Sequence, residues 1–404
     1  MNRVIHYLCL DKIGFLELLF SFFPITLGYW YFGIPGDIFM LLLMDFFALT
    51  RKPKIYIPTI LKIFFFYVII HEIIIFYFVA GQPIYMLNAI MTHIVVFVSI
   101  PLLSSAINLN RLIGSFNIVA IICIVGIVYH FLLISIGGVC SPIRLPLLYA
   151  PPSSRFFQES LRPLSFFFEP QSFCSFMLIP LYFSVMKKKI LWASIIILSM
   201  FLSTSTTGII LAPVVLLTYA YTQNKKSRVK LYYTLLTVIF IYILSTLSIF
   251  EQGVEKLQNT DASTNMRLSS GLEYLKHIDL SYCLLGIPAA NPTDFFMMGG
   301  VKGANLYLSL NSGSVFLATF WLLLIKFGVI GLLLYLGTLI YPMKIDRRTM
   351  LYGIPLMVGM FSNPDFINSA FAVELIILYS QIKTKKLTNR YAYESFDINN
   401  AIRK

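Results

Sequence analysis

The sequence predicts an all-α, polytopic integral membrane protein of about twelve transmembrane helices with two large outward-facing loops. Three observations predict it. Hydrophobic residues make up 58% of the 404 positions and charged residues only 12%, more apolar surface than a water-soluble core hides but well suited to lipid. Apolar runs of roughly 18 residues or more recur from end to end, in continuous blocks rather than the alternating strands of a β-barrel. The formal net charge of +13 is gathered in short loops, as the positive-inside rule requires.

The elements follow in order. Arg3 and Lys12 precede the first apolar run, as in a signal peptide. No small-residue cleavage site follows "FPITLGYWYFG", so 13–32 is read as the first span. Further spans are expected at 35–50, 57–80, 84–105, 113–136, 166–186, 190–204, 208–223, 231–249, 314–341, 350–363 and 367–381. With both termini cytoplasmic, this arrangement puts Arg51, Lys52 and Lys54, Lys187 to Lys189, Lys225 to Lys230, Lys344 to Arg348 and Lys383 to Lys386 on one side. A basic balance laid out in this way reflects topology rather than nucleic-acid binding.

Residues 1–386 form a single transmembrane domain in this reading, and 387–404 a polar cytoplasmic tail. The outward loops, about 137–165 and 250–313, are too long to be connectors alone. Five cysteines at 9, 123, 140, 174 and 283 lack metal-ligand spacing. Cys140 and Cys283 both lie in outward loops and could pair, with free thiols as the default.

Chemistry is sought in those loops. The first carries Arg144, Arg155 and Arg162 with Glu159; the second carries Arg267, Lys276, His277 and several acids. Guanidinium forks suit phosphate oxygens and stay charged at every working pH, so a polyanionic ligand would explain cations kept on the outer side. Toleration of water, or lipid headgroup anchoring, explains them equally well. Leu268, Leu272 and Leu275 at helical spacing predict a short interfacial helix, with Arg267, Gly271 and Tyr274 on a neighbouring stripe.

Inside the spans, Glu72 beside His71, and Lys326, are expected to face protein or water, because a central charge costs about 2.5–3.5 kcal/mol. Helix packing or pairing is the plainer reading of both. His93 and His130, near span ends, read as interfacial hydrogen bonders. In "LRPLSFFFEPQSFCSFMLIP", Pro170 suits a first helical turn and Glu169 the positive helix end. That dipole lowers the basicity of Glu169. There is no Asp-x-Asp pair, Walker loop, His-Glu-x-x-His or Gly-x-Ser-x-Gly, so metal, ATP and serine-hydrolase chemistry have no sequence support.

The ordered series "RPLSFFFEPQSF", "KKK", "LSTSTTGIILAPVVLL", "LLGIP" and "SVFLATFWLLLIKFGVIGLLLYLG" resembles the Wzy-type O-antigen and exopolysaccharide polymerases over about residues 150–345. Gln171 separates Pro170 from Ser172, and the arginine-x10-glycine pattern of some members is absent, Phe166 and Ile278 standing at that distance from Arg155 and Arg267. The resemblance implies a membrane glycosyltransferase architecture in the bacterial inner membrane. The implied reaction is metal- and cofactor-independent, inverting transfer between undecaprenyl-diphosphate-linked glycans at the outer face. A chain-length regulator is the implied protein partner and nucleic acid is not one.

On that footing Arg155, Arg162 and Arg267 meet the diphosphate, with Arg144 in second rank. Glu169 is the leading general base, and Tyr274 and His277 contact sugar. An O-antigen ligase, for which His277 speaks, and a flippase are the alternatives; matching halves that would favour transport are not visible.

Overall fold

The computed structural model describes residues 7–8, 13–31, 34–78, 83–146, 148–151, 155–223, 234–235, 270–276, 278–289, 292–297, 317–362 and 367–383. The helices are α1 (Phe15–Phe22), α2 (Gly36–Thr50), α3 (Thr59–Phe78), α4 (Pro83–Ala106), α5 (Leu109–Ser135), α6 (Pro170–Met186), α7 (Ile190–Leu202) and α8 (Thr206–Gln223). Three short ones follow, α9 (Ser270–Leu275), α10 (Leu280–Leu285) and α11 (Pro292–Met297), then α12 (Thr319–Ile345), α13 (Met350–Gly359) and α14 (369–383). The described strand structure is a two-residue ladder, β1 (Trp30–Tyr31) with β2 (Ile34–Pro35).

Among the described residues, three helices are long and apolar enough to cross a membrane, within Leu87–Ala106, Leu109–Ser135 and Thr319–Ile345. Shorter apolar helices accompany them. Phe66, Val125, Leu132 and Leu333 are each more than half exposed on the outside of this bundle, an apolar surface that suits lipid and not water. The expected first span is interrupted. Pro24 turns its end into a 3-10 segment, and the chain reverses at Gly28 to enter the β1–β2 ladder. The expected span at 231–249 lies outside the described residues except for 234–235.

The core is aromatic. Phe64 of α3, Tyr335 of α12 and Phe371 of α14 form one triangle, with Tyr335 stacked on Phe371 at 5.0 Å. Phe116 of α5 packs on Phe176 and Phe183 of α6 at 5.9 and 6.1 Å. A buried asparagine ties helices here: Asn117 accepts from Trp192 Nε1 at 2.8 Å and donates to the Leu8 carbonyl at 2.7 Å, the interhelical polar bonding expected where lipid gives helices no hydrophobic reason to associate.

One end of the bundle is closed by charge. Arg51 makes a bidentate contact with Glu17, at 2.6 and 3.1 Å, and the same carboxylate accepts from Asn108 N at 2.8 Å. Lys383 donates to the Ser105 carbonyl nearby. The basic loop at 51–54 and the basic stretch starting at Lys383 therefore share an end. Glu17 is fully buried whereas Arg51 is partly exposed. Arg51→Ala strands that carboxylate and is expected to destabilise by the low end of about 3–5 kcal/mol. Thermal unfolding in detergent checks this, with Arg51→Lys intermediate.

Candidate functional site

The opposite end carries the described part of the first loop. Gly137 ends α5 with a positive φ, and the returning chain pairs Cys140 with Ser160 through backbone bonds of 3.0 and 2.7 Å. His130 anchors the loop from below. Its Nδ1 accepts from the backbone N–H groups of Leu164 and Ser165, at 3.2 and 3.1 Å. That arrangement fixes the tautomer with the proton on Nε2. Ser165, in the left-handed region, donates to the Cys123 carbonyl at 2.9 Å. On its other side the loop rests on the β1–β2 ladder: Trp30 N donates to the Tyr149 carbonyl at 3.0 Å, and the Tyr29 hydroxyl accepts from Leu145 N at 2.8 Å.

These contacts hold Arg162. Its N–H donates to Ser160 Oγ at 3.0 Å, and its carbonyl accepts from the Cys140 thiol and from Ser160 Oγ. The guanidinium crosses to the α7–α8 hairpin, where Nη2 donates to the Thr204 carbonyl at 2.6 Å and Nε to Thr204 Oγ1 at 3.3 Å. Thr204 itself has φ 54°, a strained conformation for a β-branched residue, so the arginine secures a turn that needs support. Burial lowers the Arg162 pKa from its ordinary value, and nearby Cys174 and Glu169 oppose that shift. The hairpin is tight at Gly208 as well, where a Cβ would lie 2.8 Å from Cys174 Sγ and from the Met200 carbonyl.

Glu169 is the N-cap of α6, with Pro170 in the first turn, as its sequence predicts. Its carbonyl accepts from Ser172 N at 3.1 Å, while its side chain makes no capping bond. The carboxylate therefore does not cap the helix end, and its charge opposes the lowering of the Arg162 pKa by burial. Behind it lies a cavity of about 80 Å³ lined by Ser172, Ser175, Tyr352 and Glu374 among aromatic neighbours. In the same turn of α6, Gln171 donates to the Ser362 carbonyl at 2.9 Å, and Ser369 of α14 donates to Asp37 at 2.9 Å.

The remaining predicted residues are placed unevenly. Arg144 is exposed, with its guanidinium 4.8 Å from the Phe157 ring centre, a cation–π contact within reach of solvent. The backbone of Arg155 opens a 3-10 turn, Arg155–Phe157; its side chain lies outside the described residues, as do Arg267 and His277. Glu159 is exposed. Tyr274 is 1% exposed and stacks on Phe296 at 4.4 Å, so its ring packs the second loop and offers little face to a sugar. Cys140 and Cys283 are free thiols, and burial raises the pKa of Cys140. Among the described residues no group of histidine, cysteine and carboxylate side chains could hold a metal.

Sequence reasoning missed Glu374 and Thr204. The signal for the first was available: "FAVELIILYS" holds one acid in an apolar helix, the pattern that marks a functional residue in a membrane segment. No known family model matches the chain, and no curated protein or solved structure matches it.

Proposed function

We propose that the chain is a membrane glycosyltransferase that polymerises undecaprenyl-diphosphate-linked oligosaccharide repeat units at the outer face of the bacterial inner membrane. In this reading twelve spans place the basic loops in the cytoplasm and the Arg162 end outside. One observation carries the proposal. The guanidinium of Arg162 joins the arginine loop to the Ser-Thr-Gly hairpin beside Glu169, bringing together three segments whose order in the chain resembles the Wzy-type polymerases.

The chemistry suits such a rim. An acceptor hydroxyl attacks the anomeric carbon of the donor glycan on the face opposite the lipid diphosphate. The new C–O bond forms as the anomeric C–O bond to phosphate breaks, and the diphosphate leaves with the electron pair. Charge grows on the leaving group, where preplaced guanidinium donors stabilise it. Arg162 spends Nε and Nη2 on Thr204, and the rest of its five-donor fork is what meets the diphosphate; Arg155 and Arg267 complete the clamp. The hydroxyl proton passes to a carboxylate, Glu169 at the rim or Glu374 in the cavity behind it.

The deciding experiment is the glycan profile of a deletion strain. A single repeat attached to lipid A–core, returned to a full ladder by the intact gene, supports polymerisation. Bare core with lipid-linked polymer outside would instead make the chain a ligase, and repeats trapped on the cytoplasmic leaflet a flippase. Between the two carboxylates, Glu374→Gln and Glu169→Gln are separated by polymer yield at equal membrane level: the base loses about 10²–10⁴-fold in rate, the other far less.

A further inference from the structure

The second outward loop is attached to the bundle at a broken helix. α12 departs from helical geometry at Gly328, with φ 66° and ψ −174°, which frees carbonyls inside a membrane segment. Two of them find donors from other segments. Ile325 O accepts from Ile287 N at 3.0 Å, and Phe327 O accepts from the Tyr67 hydroxyl at 2.7 Å. That hydroxyl also lies 3.2 Å from Leu285 O, on the loop. Non-helical backbone at membrane depth is tolerated only when satisfied in this manner.

The outer half of α12 and the loop segments form one unit. Tyr274, Ile287, Phe296, Leu317 and Ile325 make a small core of their own, and Gly271 lies directly against Trp321. At the break, Lys326 leaves this unit and reaches Glu72 of α3 at 2.6 Å, with both side chains buried. His93 of α4 stands 3.9 Å from the same carboxylate oxygen, and His71 packs on Phe327 at 4.9 Å. Counting 1.5 Å per residue, Glu72 lies roughly 20 Å along α3 from its start, well inside the apolar layer.

A buried ion pair is a poor way to gain stability, since apolar residues of similar volume serve as well or better. Its use is geometric, because each charge accepts only the other's position. Lys326 also sits at the C-terminal end of the outer half-helix, where a cation is favoured. We propose that Lys326 and Glu72 form an intramembrane latch that docks the 278–289 segment of the second loop onto the bundle and so sets its position over the Arg162 end. The latch itself stands on geometry; its role as a pair of positioning residues for glycosyl transfer rests on the polymerase reading.

Cys283 on α10 is half-buried and free, which makes it a reporter. Its reaction with a membrane-impermeant maleimide is followed in membranes, with the site resolved by peptide mass. Lys326→Met and Glu72→Leu are each expected to speed labelling about 10-fold, as expected when a docked segment opens more often, and to shorten the polymer. The exchanged pair, Glu72→Lys with Lys326→Glu, is expected to return the rate to within about threefold of wild type. Where a single variant fails to reach the membrane, Glu72→Gln, which keeps the side-chain shape and removes only the charge that Lys326 meets, gives the same readout. Unchanged labelling in the single variants, or in Glu72→Gln standing in for them, overturns the latch. Faster labelling with normal polymer supports the latch and overturns its role in transfer. Because labelling does not depend on glycan chemistry, a chain that proves not to be a polymerase leaves that result intact.

Discussion

Arg162→Ala is expected to remove the long polymer ladder while the protein stays in the membrane at close to its normal level. The arginine is half-buried and its backbone is fixed by Ser160 and Cys140, so the loop keeps its path without the side chain. What is lost is the donor fork, two of whose bonds reach Thr204 at 2.6 and 3.3 Å. Removing one preorganised donor from a developing anion costs about 10²–10³ in rate, which leaves single repeats where polymer was. Arg162→Lys keeps the charge but offers no planar fork that can hold Thr204 and a diphosphate oxygen together. It should yield short chains. Thr204→Val, which removes only the weaker bond, should leave the ladder nearly intact. If Arg162 were a structural strut alone, polymer and protein level would fall in step; an unaltered ladder in Arg162→Ala sinks the diphosphate assignment outright.

Much of the helix layout was legible because lipid makes few demands and states them plainly. Continuous apolar runs and basic loops located α3, α4, α5, α6 and α12 to within a few residues, and Pro170 marked the start of α6. The first span was overestimated because apolar composition does not register a reversal: Pro24 and Gly28 turn the chain before it has the length of a span. Lys326 was recognisable as a charge that must face protein or water, but what fills the break at Gly328 was not. Tyr67, Ile287 and Leu285 come from distant segments, and no local period connects them. Tyr274 illustrates the same limit. Helical spacing put it on a stripe with Arg267 and Gly271, whereas its stacking on Phe296 depends on where α11 packs. For Arg162 the residue type was informative and the partner was not, since Thr204 is reached only through the α7–α8 hairpin.

The largest stability effect is expected where the loop meets the broken helix. Gly286 has φ 95° and ψ 169°, a region essentially reserved for glycine, and a Cβ there would lie 2.1 Å from the Lys326 carbonyl. Gly328 is its counterpart, with a Cβ meeting the Leu284 carbonyl at 2.2 Å. Both obstacles are backbone, which cannot swing aside as a flexible side chain does. Gly286→Ala therefore combines backbone strain of about 1–3 kcal/mol with an overpacking cost of similar size, on the order of 3 kcal/mol or more together. Gly137→Ala separates the two terms, because Gly137 also has a positive φ, 86°, but nothing within 4 Å of its would-be Cβ; it should lose only the strain. Thermal unfolding in detergent measures both. Equal losses in the two variants would mean that the backbones do not touch at the break, and the close docking of 284–287 on 325–328 would have to be given up. A clear excess in Gly286→Ala, accompanied by faster labelling of Cys283, would place the loss at the loop and not in the bundle, since the aromatic triangle of Phe64, Tyr335 and Phe371 lies on the other side of the break and is untouched by the substitution.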